Sequence, residues 1–305
     1  MIHVDFTASD IENFRKPSAR SNNDRVNKIR ESIIMNAIMK RIPSEFYEQT
    51  NEHSKDWLDL QAEVDTYIHD VLCEGARVTK VMKRGGRTGR HDFTVVTEIR
   101  THNIEFKYGK TSVNAQPQFV SPMNPSQYLS LSYEEYYYNE YLGELCKLCG
   151  QDKPDIEIYS KQVGGNRPDC LVALQDIYYQ GCKKSSKYTG KEKAILFYIY
   201  ANMISKESIQ KFINVAHLDI SKLTKYLQDT QKDKIYMMYK EGFYKEQVDM
   251  DDYIIESCVK EPSKFRYVCK TKSGVELTVL LRWKNGNGIA YPGFQIKSRK
   301  PKANR

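Results

Sequence analysis

The sequence predicts an α/β chain with a mixed central β-sheet flanked by helices, followed by a helical segment and a C-terminal antiparallel β-meander. Three observations lead to this fold class. Apolar residues recur at steps of three and four, the helical period, in residues 24–41 and 57–72. Apolar and polar residues alternate, the strand period, in residues 91–99 and 103–108. Near the C-terminus, Lys-Ser-Gly and Asn-Gly-Asn-Gly turns separate alternating runs, which indicates a meander.

The composition is ordinary for a globular chain, with a surplus of basic residues. Of the 305 residues, 40% are hydrophobic and 28% are charged, so global disorder is not expected. The formal net charge is +8, and the tail from Lys297 to Arg305 carries five basic residues and no acid. A basic protein with a basic tail favours a polyanionic partner, although a solvated tail explains the charge equally well.

The cysteines and the hydropathy pattern bear on the cellular compartment. Seven cysteines without regular spacing indicate free thiols in a reducing environment. Cys146 and Cys149 form a CxxC pair, but no second pair follows at the spacing of a zinc finger, so we do not expect a zinc site. The N-terminus lacks the regions of a signal peptide, and no apolar run reaches the ~18 residues of a membrane span. We therefore expect a soluble, intracellular protein, cytoplasmic or nuclear, with no membrane partner.

The N-terminal part is predicted to be helical up to the first strand. An S-x-x-E capping box at Ser9 predicts a short helix, and residues 24–41 form a longer amphipathic one. Residues 57–72 form a further helix, which ends at Gly75, and residues 77–82 form the first strand. One edge of the helix over 57–72 carries three acids: Asp59, Glu63 and Asp70.

Residues 83–90 read KRGGRTGR, with four basic residues and three glycines. Glycine lets the backbone approach a ligand closely, and arginine has a fork of donors that suits phosphate oxygens. The segment is not a P-loop, because GxxxxGK[ST] is absent and a strand follows in place of a helix. We interpret it as a loop that contacts a nucleic-acid backbone, with a flexible hairpin tip as the alternative. The candidate contacts are Lys83, Arg84, Arg87 and Arg90.

The strongest chemical pattern lies in residues 91–107, HDFTVVTEIRTHNIEFK, which predict two short strands joined by a polar turn. A period of two puts Glu105 and Lys107 on one face of the second strand, while Phe106 points into a core. Asp92 begins the preceding strand. Two acids and a lysine at one edge of a sheet can hold a hard cation and a water molecule.

The remainder of the chain is predicted to alternate between helices and strands. Ser132 opens a capped helix that runs to Cys149, with tyrosines packed in the core. Short strands are predicted at residues 155–159 and 170–173. After a basic connector, we predict two or three helical stretches, at about residues 194–203, 220–227 and 232–244. The meander is predicted from three strands, residues 265–271, 275–283 and 289–297.

The order helix, strand, strand, strand, helix, strand across residues 57–160 resembles the core of the PD-(D/E)xK nuclease superfamily, which includes most type II restriction endonucleases. In that family an acid begins the second core strand, and a D/E-x-K motif lies on the third. Asp92 and the tripeptide Glu105, Phe106, Lys107 stand at these positions. His91 precedes Asp92 where the family name has proline, a position that varies among members.

The resemblance also implies the remaining parts of a site. The family's acid on the first helix corresponds to Glu63, with Asp59 or Asp70 as alternatives. A glutamine often follows the lysine strand in this family, and Gln116 or Gln118 matches it. The resemblance implies residues 1–180 as a nuclease core with its N-terminal helices. Residues 181–305 would form the helical segment and basic meander, which either dock on the core as one domain or stand apart.

By this resemblance, the chain is expected to be an endonuclease that hydrolyses DNA phosphodiester bonds and leaves 5′-phosphate products. Asp92 and Glu105 would hold Mg²⁺, with Mn²⁺ as a substitute, and Lys107 would orient the attacking water. Restriction-type cleavage of double-stranded DNA is the first expectation, by one copy or a homodimer, and a repair or recombination nuclease is the second. A non-enzymatic nucleic-acid-binding protein is the alternative from another class. Under either reading, Arg282 and Lys284, with Trp283 and Tyr291 nearby, are candidate contacts to nucleic acid.

Overall fold

The fold is taken from a computed structural model of the chain, in which the described residues are 5–17, 22–84, 91–109 and 119–299. The chain divides into two compact units, and each combines two separate stretches of sequence. Unit 1 comprises Met1–Ala115 and Thr230–Asp249, and unit 2 comprises Gln116–Asp229 and Met250–Arg305. The boundary predicted at residue 180 therefore falls inside unit 2.

The predicted class, mixed α/β, is confirmed, and each unit contains one five-stranded sheet. The α-helices are α1 Asp10–Arg15, α2 Asn23–Ile38, α3 Ser54–Thr66, α4 Tyr133–Tyr137, α5 Gly143–Cys149, α6 Ile156–Gln162, α7 Val172–Gly181, α8 Glu192–Val215 and α9 Ile220–Gln231. The strands are β1 Val78–Lys83, β2 Phe93–Thr97, β3 Thr101–Tyr108, β4 Phe119–Met123, β5 Lys234–Tyr239, β6 Phe243–Glu246, β7 Ile255–Glu261, β8 Arg266–Thr271, β9 Glu276–Trp283 and β10 Pro292–Arg299.

In unit 1 the sheet order is β1-β2-β3-β5-β6, and every pairing is antiparallel except β3 with β5, which is parallel. The apolar stripes of α2 and α3 pack on one face of this sheet, as the helical periodicity predicts. Ile33 on α2, Trp57 on α3 and Phe106 on β3 belong to the same buried cluster. The helix predicted over 57–72 is confirmed, and its last part, Tyr67–Leu72, is a π-helical turn.

Three of the predicted elements are wrong. Residues 155–159 begin α6, because the Asp155 side chain accepts hydrogen bonds from the backbone N–H groups of Glu157 and Ile158 and so caps a helix. Residues 170–173 belong to a 3₁₀ turn and the start of α7. Residues 232–244, predicted to be helical, form the β5–β6 hairpin.

The error at β5 has a physical reason. This strand lies inside the sheet, between β3 and β6, and both Met237 and Met238 are fully buried. A strand covered on both faces shows no alternation of polar and apolar residues, so its sequence does not differ from a buried helical segment. The sixth element of the resemblance, a strand predicted near residue 155, is therefore not formed at that position.

In unit 2 the sheet order is β4-β10-β9-β8-β7, entirely antiparallel. The predicted C-terminal meander is confirmed as β8, β9 and β10, and β4 and β7 extend it on either side. Tyr137 of the capped helix is fully buried, so it is a core residue as predicted. Tyr133 of the same helix is also fully buried, and its hydroxyl lies 2.9 Å from Ser208 Oγ and 3.0 Å from Trp283 Nε1. Across the part of the chain that the structure describes, no helix is long and apolar enough to cross a bilayer.

Candidate active site

The pairing of two neighbouring strands sets the first two acids of the site side by side. β2 and β3 are antiparallel, with Phe93 opposite Ile104. Asp92 and Glu105 each lie one residue beyond this last pair of the ladder, and the negative charge of Glu105 acts on Asp92. The Asp92 backbone N–H donates to the Ile104 carbonyl oxygen at 2.9 Å, and Asp92 Oδ2 accepts from the Phe106 backbone N–H at 2.8 Å. These bonds fix the Asp92 carboxylate at the start of the hairpin.

Lys107 completes the predicted trio on the same face of β3 as Glu105. Lys107 Nζ donates to Glu105 Oε1 at 2.5 Å, and the two side chains are 21% and 14% exposed. Burial acts to lower the pKa of Lys107, but the charges of Glu105 and Asp92 outweigh burial and raise this pKa above its ordinary value. The amine therefore stays a cation beside the two acids.

Asp92 is a partly buried carboxylate that lies close to a second negative charge, that of Glu105. Its pKa is raised to about 6, first because the group is withdrawn from solvent and second because Glu105 carries the same charge. Lys107 and the Phe106 N–H act in the opposite direction without cancelling the rise. Asp92 forms no ion pair with any described residue. Neighbouring carboxylates whose mutual repulsion is only partly offset by nearby positive charges are a common feature of functional sites.

A third carboxylate reaches this group from α2. The pKa of Glu31 is raised to about 7, first by burial and then by the negative charge of Asp92. The preceding residue, Arg30, holds this part of α2 in place, because its guanidinium donates to the carbonyl oxygens of Asn13 and Lys16 at 2.7 and 2.6 Å. The sequence pattern did not single out Glu31, which stands between the apolar stripe and the basic face of the helix.

Glu63, predicted as the helix acid, is engaged with other groups of unit 1. Its Oε1 accepts from Arg15 Nη1 at 3.0 Å, and the same nitrogen donates to the Tyr239 hydroxyl at 2.9 Å. Glu63 is therefore ion-paired with Arg15, and its role beside Asp92 stays a prediction.

The two alternative acids predicted for the helix over 57–72, Asp59 and Asp70, both lie at the surface of unit 1. Asp59 is exposed and lines a surface groove together with Glu63 and Arg15. Asp70 is also exposed, and its Oδ1 lies 2.6 Å from His69 Nδ1. Glu31 on α2 is the helical acid on whose pKa the negative charge of Asp92 acts.

A second lysine, Lys234 on β5, also approaches the acids. Lys234 pairs with Asn103 in the parallel ladder, which brings its Nζ to 3.6 Å from Glu105 Oε2. Its side chain is only 7% exposed, and burial lowers the pKa of Lys234 although Glu105 acts to raise it. Sequence reasoning missed this residue because it placed residues 232–244 in a helix.

Two of the predicted nucleic-acid contacts lie beside the acids. Lys83, the last residue of β1, pairs with Phe93, and the Arg84 backbone N–H donates to the Asp92 carbonyl oxygen at 2.8 Å. Both side chains are exposed. Four further predicted contacts lie outside the described residues: Arg87, Arg90, Gln116 and Gln118.

The remaining predicted contacts, Arg282 and Lys284, belong to unit 2. Both are exposed, and Arg282 Nη1 donates to Gln295 Oε1 at 2.8 Å. The neighbouring Trp283 and Tyr291 are 3% and 4% exposed, so neither ring is open to base stacking. Only the two basic side chains remain candidates for contact with a phosphate backbone.

The acids of the cluster suit a cation that needs few protein ligands. Within the described ranges, no group of three or more His, Cys, Asp or Glu side chains is arranged to hold a metal ion. Mg²⁺ does not require such a cage, since it keeps several water molecules and is usually bound through one or two carboxylates. Asp92 and Glu105 fit this requirement, because they lie near each other and Lys107 offsets only part of their negative charge.

Comparisons with known proteins do not identify the chain. No family model, no curated protein and no solved structure matches it significantly. The inference of function therefore starts from the geometry and charge of the site.

Proposed function

We propose that unit 1 is a Mg²⁺-dependent endonuclease that hydrolyses DNA phosphodiester bonds, with restriction-type cleavage and 5′-phosphate products. The observation that supports this proposal lies at the end of the β2–β3 ladder, where the charge of Glu105 acts on Asp92 and Lys107 is in ion contact with Glu105. An acid at a strand start and an acid-x-lysine on the next strand are the parts expected of a PD-(D/E)xK nuclease.

The connections of the sheet add support. Three antiparallel strands, β1 to β3, precede a strand that runs parallel to the third, and that strand, β5, follows the helix α9. A strand parallel to β3 is what the αβββαβ order requires after its third strand, although this strand comes much later in the chain than the sequence pattern suggested, and α9 lies almost wholly in unit 2.

Asp92 and Glu105 would hold the Mg²⁺, and Glu31 lies within electrostatic reach of both. The metal, when bound, neutralises charge on the scissile phosphate and on the leaving oxygen. Lys107 keeps its proton, so it acts as a fixed positive charge that orients the attacking water and stabilises the negative charge developing on the phosphate. Lys234 holds Glu105 from the other side, and Lys83 and Arg84 are placed to contact neighbouring phosphates.

The burial of the acids favours an enzyme over a protein that only binds nucleic acid. A binding surface for a polyanion gains nothing from partly buried carboxylates, because their charge repels the phosphates. Here burial raises the pKa of both Asp92 and Glu31, an unfavourable arrangement that a cation would relieve. A repair or recombination nuclease would use the same residues and remains the second candidate.

Digestion of covalently closed plasmid and of linear duplex DNA tests the proposal. We expect cutting of both substrates with Mg²⁺ or Mn²⁺, none with EDTA, and ends that a ligase accepts without prior phosphorylation. An Asp92→Ala/Lys107→Ala double variant, purified in parallel, measures contaminating nuclease. If the wild type binds varied duplexes but cuts no more than this variant, the chain is a binding protein and not a nuclease.

Glu31→Gln should lower the rate of cleavage by about tenfold to a hundredfold, the usual effect of losing a group that supports a metal site. Glu63→Gln is the matched control, since it removes a carboxylate of the same type that pairs with Arg15. Initial rates across a range of Mg²⁺ concentrations separate weakened metal affinity from slower chemistry. Equal losses in the two variants, or a larger loss in Glu63→Gln, would contradict the assignment of Glu31.

Metal binding should also stabilise the folded chain. Because the pKa of Asp92 is raised from 3.8 to about 6, ionising this group costs more in the folded chain than in the unfolded one, so without metal the free energy of unfolding falls as the pH rises across this window. A bound cation removes the cost, so Mg²⁺ or Mn²⁺ should raise Tm at neutral pH by roughly several degrees.

Asp92→Asn provides the control for this metal effect. The amide oxygen can still accept from the Phe106 N–H, but the charge is gone. In EDTA at neutral pH the variant should melt above the wild type, and added Mn²⁺ should raise its Tm much less. Equal metal-induced shifts in the two proteins, followed by differential scanning fluorimetry, would place the cation elsewhere.

A further inference from the structure

Two cysteines of unit 2 face each other across adjacent strands. β7 and β8 are antiparallel, and Cys258 is the direct partner of Cys269. Directly opposed residues in such a ladder have Cα atoms about 4.5 or 5.5 Å apart, depending on their place in the hydrogen-bond pattern. Both separations lie within the roughly 4.4–6.8 Å that a disulfide spans. The strand register alone thus brings the two thiols within bonding reach.

The side chains meet as the register requires. Directly opposed residues of a ladder point to the same face of the sheet, so the two thiols lie on one side. The pKa of Cys258 lies below that of an ordinary thiol, first because of hydrogen bonding with the Cys269 thiol and then because of nearby Lys260, while burial acts in the opposite direction. Burial raises the pKa of four other cysteines: Cys73, Cys146, Cys149 and Cys170. Cys258 therefore has more thiolate character than these four.

The two cysteines also differ in access to solvent. β7 is the edge strand of its sheet, and Cys258 is half-buried, whereas Cys269 on the inner strand β8 is fully buried. A solution oxidant can thus reach Cys258, whereas Cys269 is shielded from solvent. An accessible thiol with a resolving thiol next to it is the arrangement of redox-active cysteines.

We propose that Cys258 and Cys269 are a reversible oxidation site that closes to a cross-strand disulfide. With a peroxide as oxidant, the Cys258 thiolate attacks one peroxide oxygen, the O–O bond breaks, and a sulfenic acid and one water form. Cys269 then attacks the Cys258 sulfur and expels the hydroxyl as a second water. The two thiols thereby lose two protons and two electrons, and the peroxide is reduced. A dithiol reductant reverses the change by exchange.

Peptide mapping tests this site on the full-length protein. Trypsin cleaves after Lys245, Lys260, Arg266 and Lys270, so Cys258 and Cys269 fall into separate peptides, residues 246–260 and 267–270, each with one cysteine. After treatment with hydrogen peroxide, free thiols are blocked with N-ethylmaleimide and the digest is analysed by mass spectrometry. We expect two of the seven thiols to be lost first and these two peptides to appear linked, and dithiothreitol to separate them.

Variants make the outcome decisive. Cys258→Ser should abolish the linked peptide, and Cys149→Ser, which alters another half-buried cysteine, should leave it unchanged. Because Cys258 is partly exposed, its replacement by serine should not impair folding, which circular dichroism checks. The proposal is overturned if peroxide leaves both peptides unlinked, if either cysteine links to a different one, or if the other thiols are oxidised before this pair.

Discussion

Replacing Lys107 by alanine, or Asp92 by asparagine, should lower the rate of Mg²⁺-dependent DNA cleavage by roughly a thousandfold, the size of effect found when one preorganised electrostatic group is removed from an active site. For Lys107 the reason is that its amine lies closer to Glu105 than the second lysine of the cluster, Lys234, whose Nζ is 3.6 Å from Glu105 Oε2. Lys107 Nζ contacts Glu105 at 2.5 Å, and the pKa of Lys107 is raised, so it supplies positive charge at every working pH.

For Asp92 the reason is the loss of one of two adjacent carboxylates. Asparagine preserves the hydrogen bond from the Phe106 N–H, so the strand pairing should survive while the negative charge disappears. The defect should therefore lie in metal use and not in folding. Higher Mn²⁺ should restore part of the activity of Asp92→Asn but none of that of Lys107→Ala, since only the first variant has a weakened metal site.

Single-turnover rates on a duplex that the wild type cuts provide the measurement, with binding followed separately by fluorescence anisotropy. Lys107→Arg is a useful companion, because it keeps the charge but changes its shape and its hydrogen-bonding directions. Asp70→Asn is the matched control for Asp92→Asn, since Asp70 is exposed and its carboxylate lies beside the His69 ring. A wild-type rate in either Lys107→Ala or Asp92→Asn would remove that residue from the mechanism.

The parts of the site that the sequence predicts are those made by local periodicity. Asp92, Glu105 and Lys107 lie on one hairpin, and the alternation of its two strands determines both their faces and their register. Phe106 and Ile104 are buried on the opposite face, as the pattern requires. A hairpin needs only neighbours in sequence, so one stretch of chain contains the information.

The parts that the sequence does not predict depend on distant contacts. Lys234 reaches Glu105 only because β5 runs parallel to β3, a pairing that joins residues more than a hundred positions apart. Glu31 and Glu63 are both helical acids near an apolar stripe, and the pattern of each helix alone does not say which one reaches the sheet edge. Arg15 pairs with Glu63 in the folded chain, and the sequence of the short α1 that carries Arg15 does not indicate this pair.

Gly181→Ala should produce the largest loss of stability among single methyl additions in unit 2, about 3 kcal/mol, at the upper end of what overpacking costs. A Cβ on Gly181, at the end of α7, would lie 2.0 Å from the Ala194 carbonyl oxygen and 2.8 Å from the Tyr198 Cβ. Both obstacles belong to α8, and the closer one is backbone, so relief requires the two helices to move apart. Gly143→Ala is the matched control, because its Cβ would meet only Lys153 Cδ at 3.6 Å and a helical glycine is replaced by a better helix former.

The chain contains a separate fluorescent probe for each unit, which makes this prediction measurable. Its two tryptophans are Trp57 in unit 1 and Trp283 in unit 2, both buried, so in a Trp57→Phe background the emission of Trp283 reports unfolding of unit 2. At typical slopes of about 1–3 kcal/mol per M urea, Gly181→Ala should lower the midpoint by about 1 to 3 M. Gly143→Ala should leave the midpoint unchanged or raise it slightly. A midpoint for Gly181→Ala equal to that of Gly143→Ala would mean that α7 and α8 are not packed as closely as their backbone contact requires.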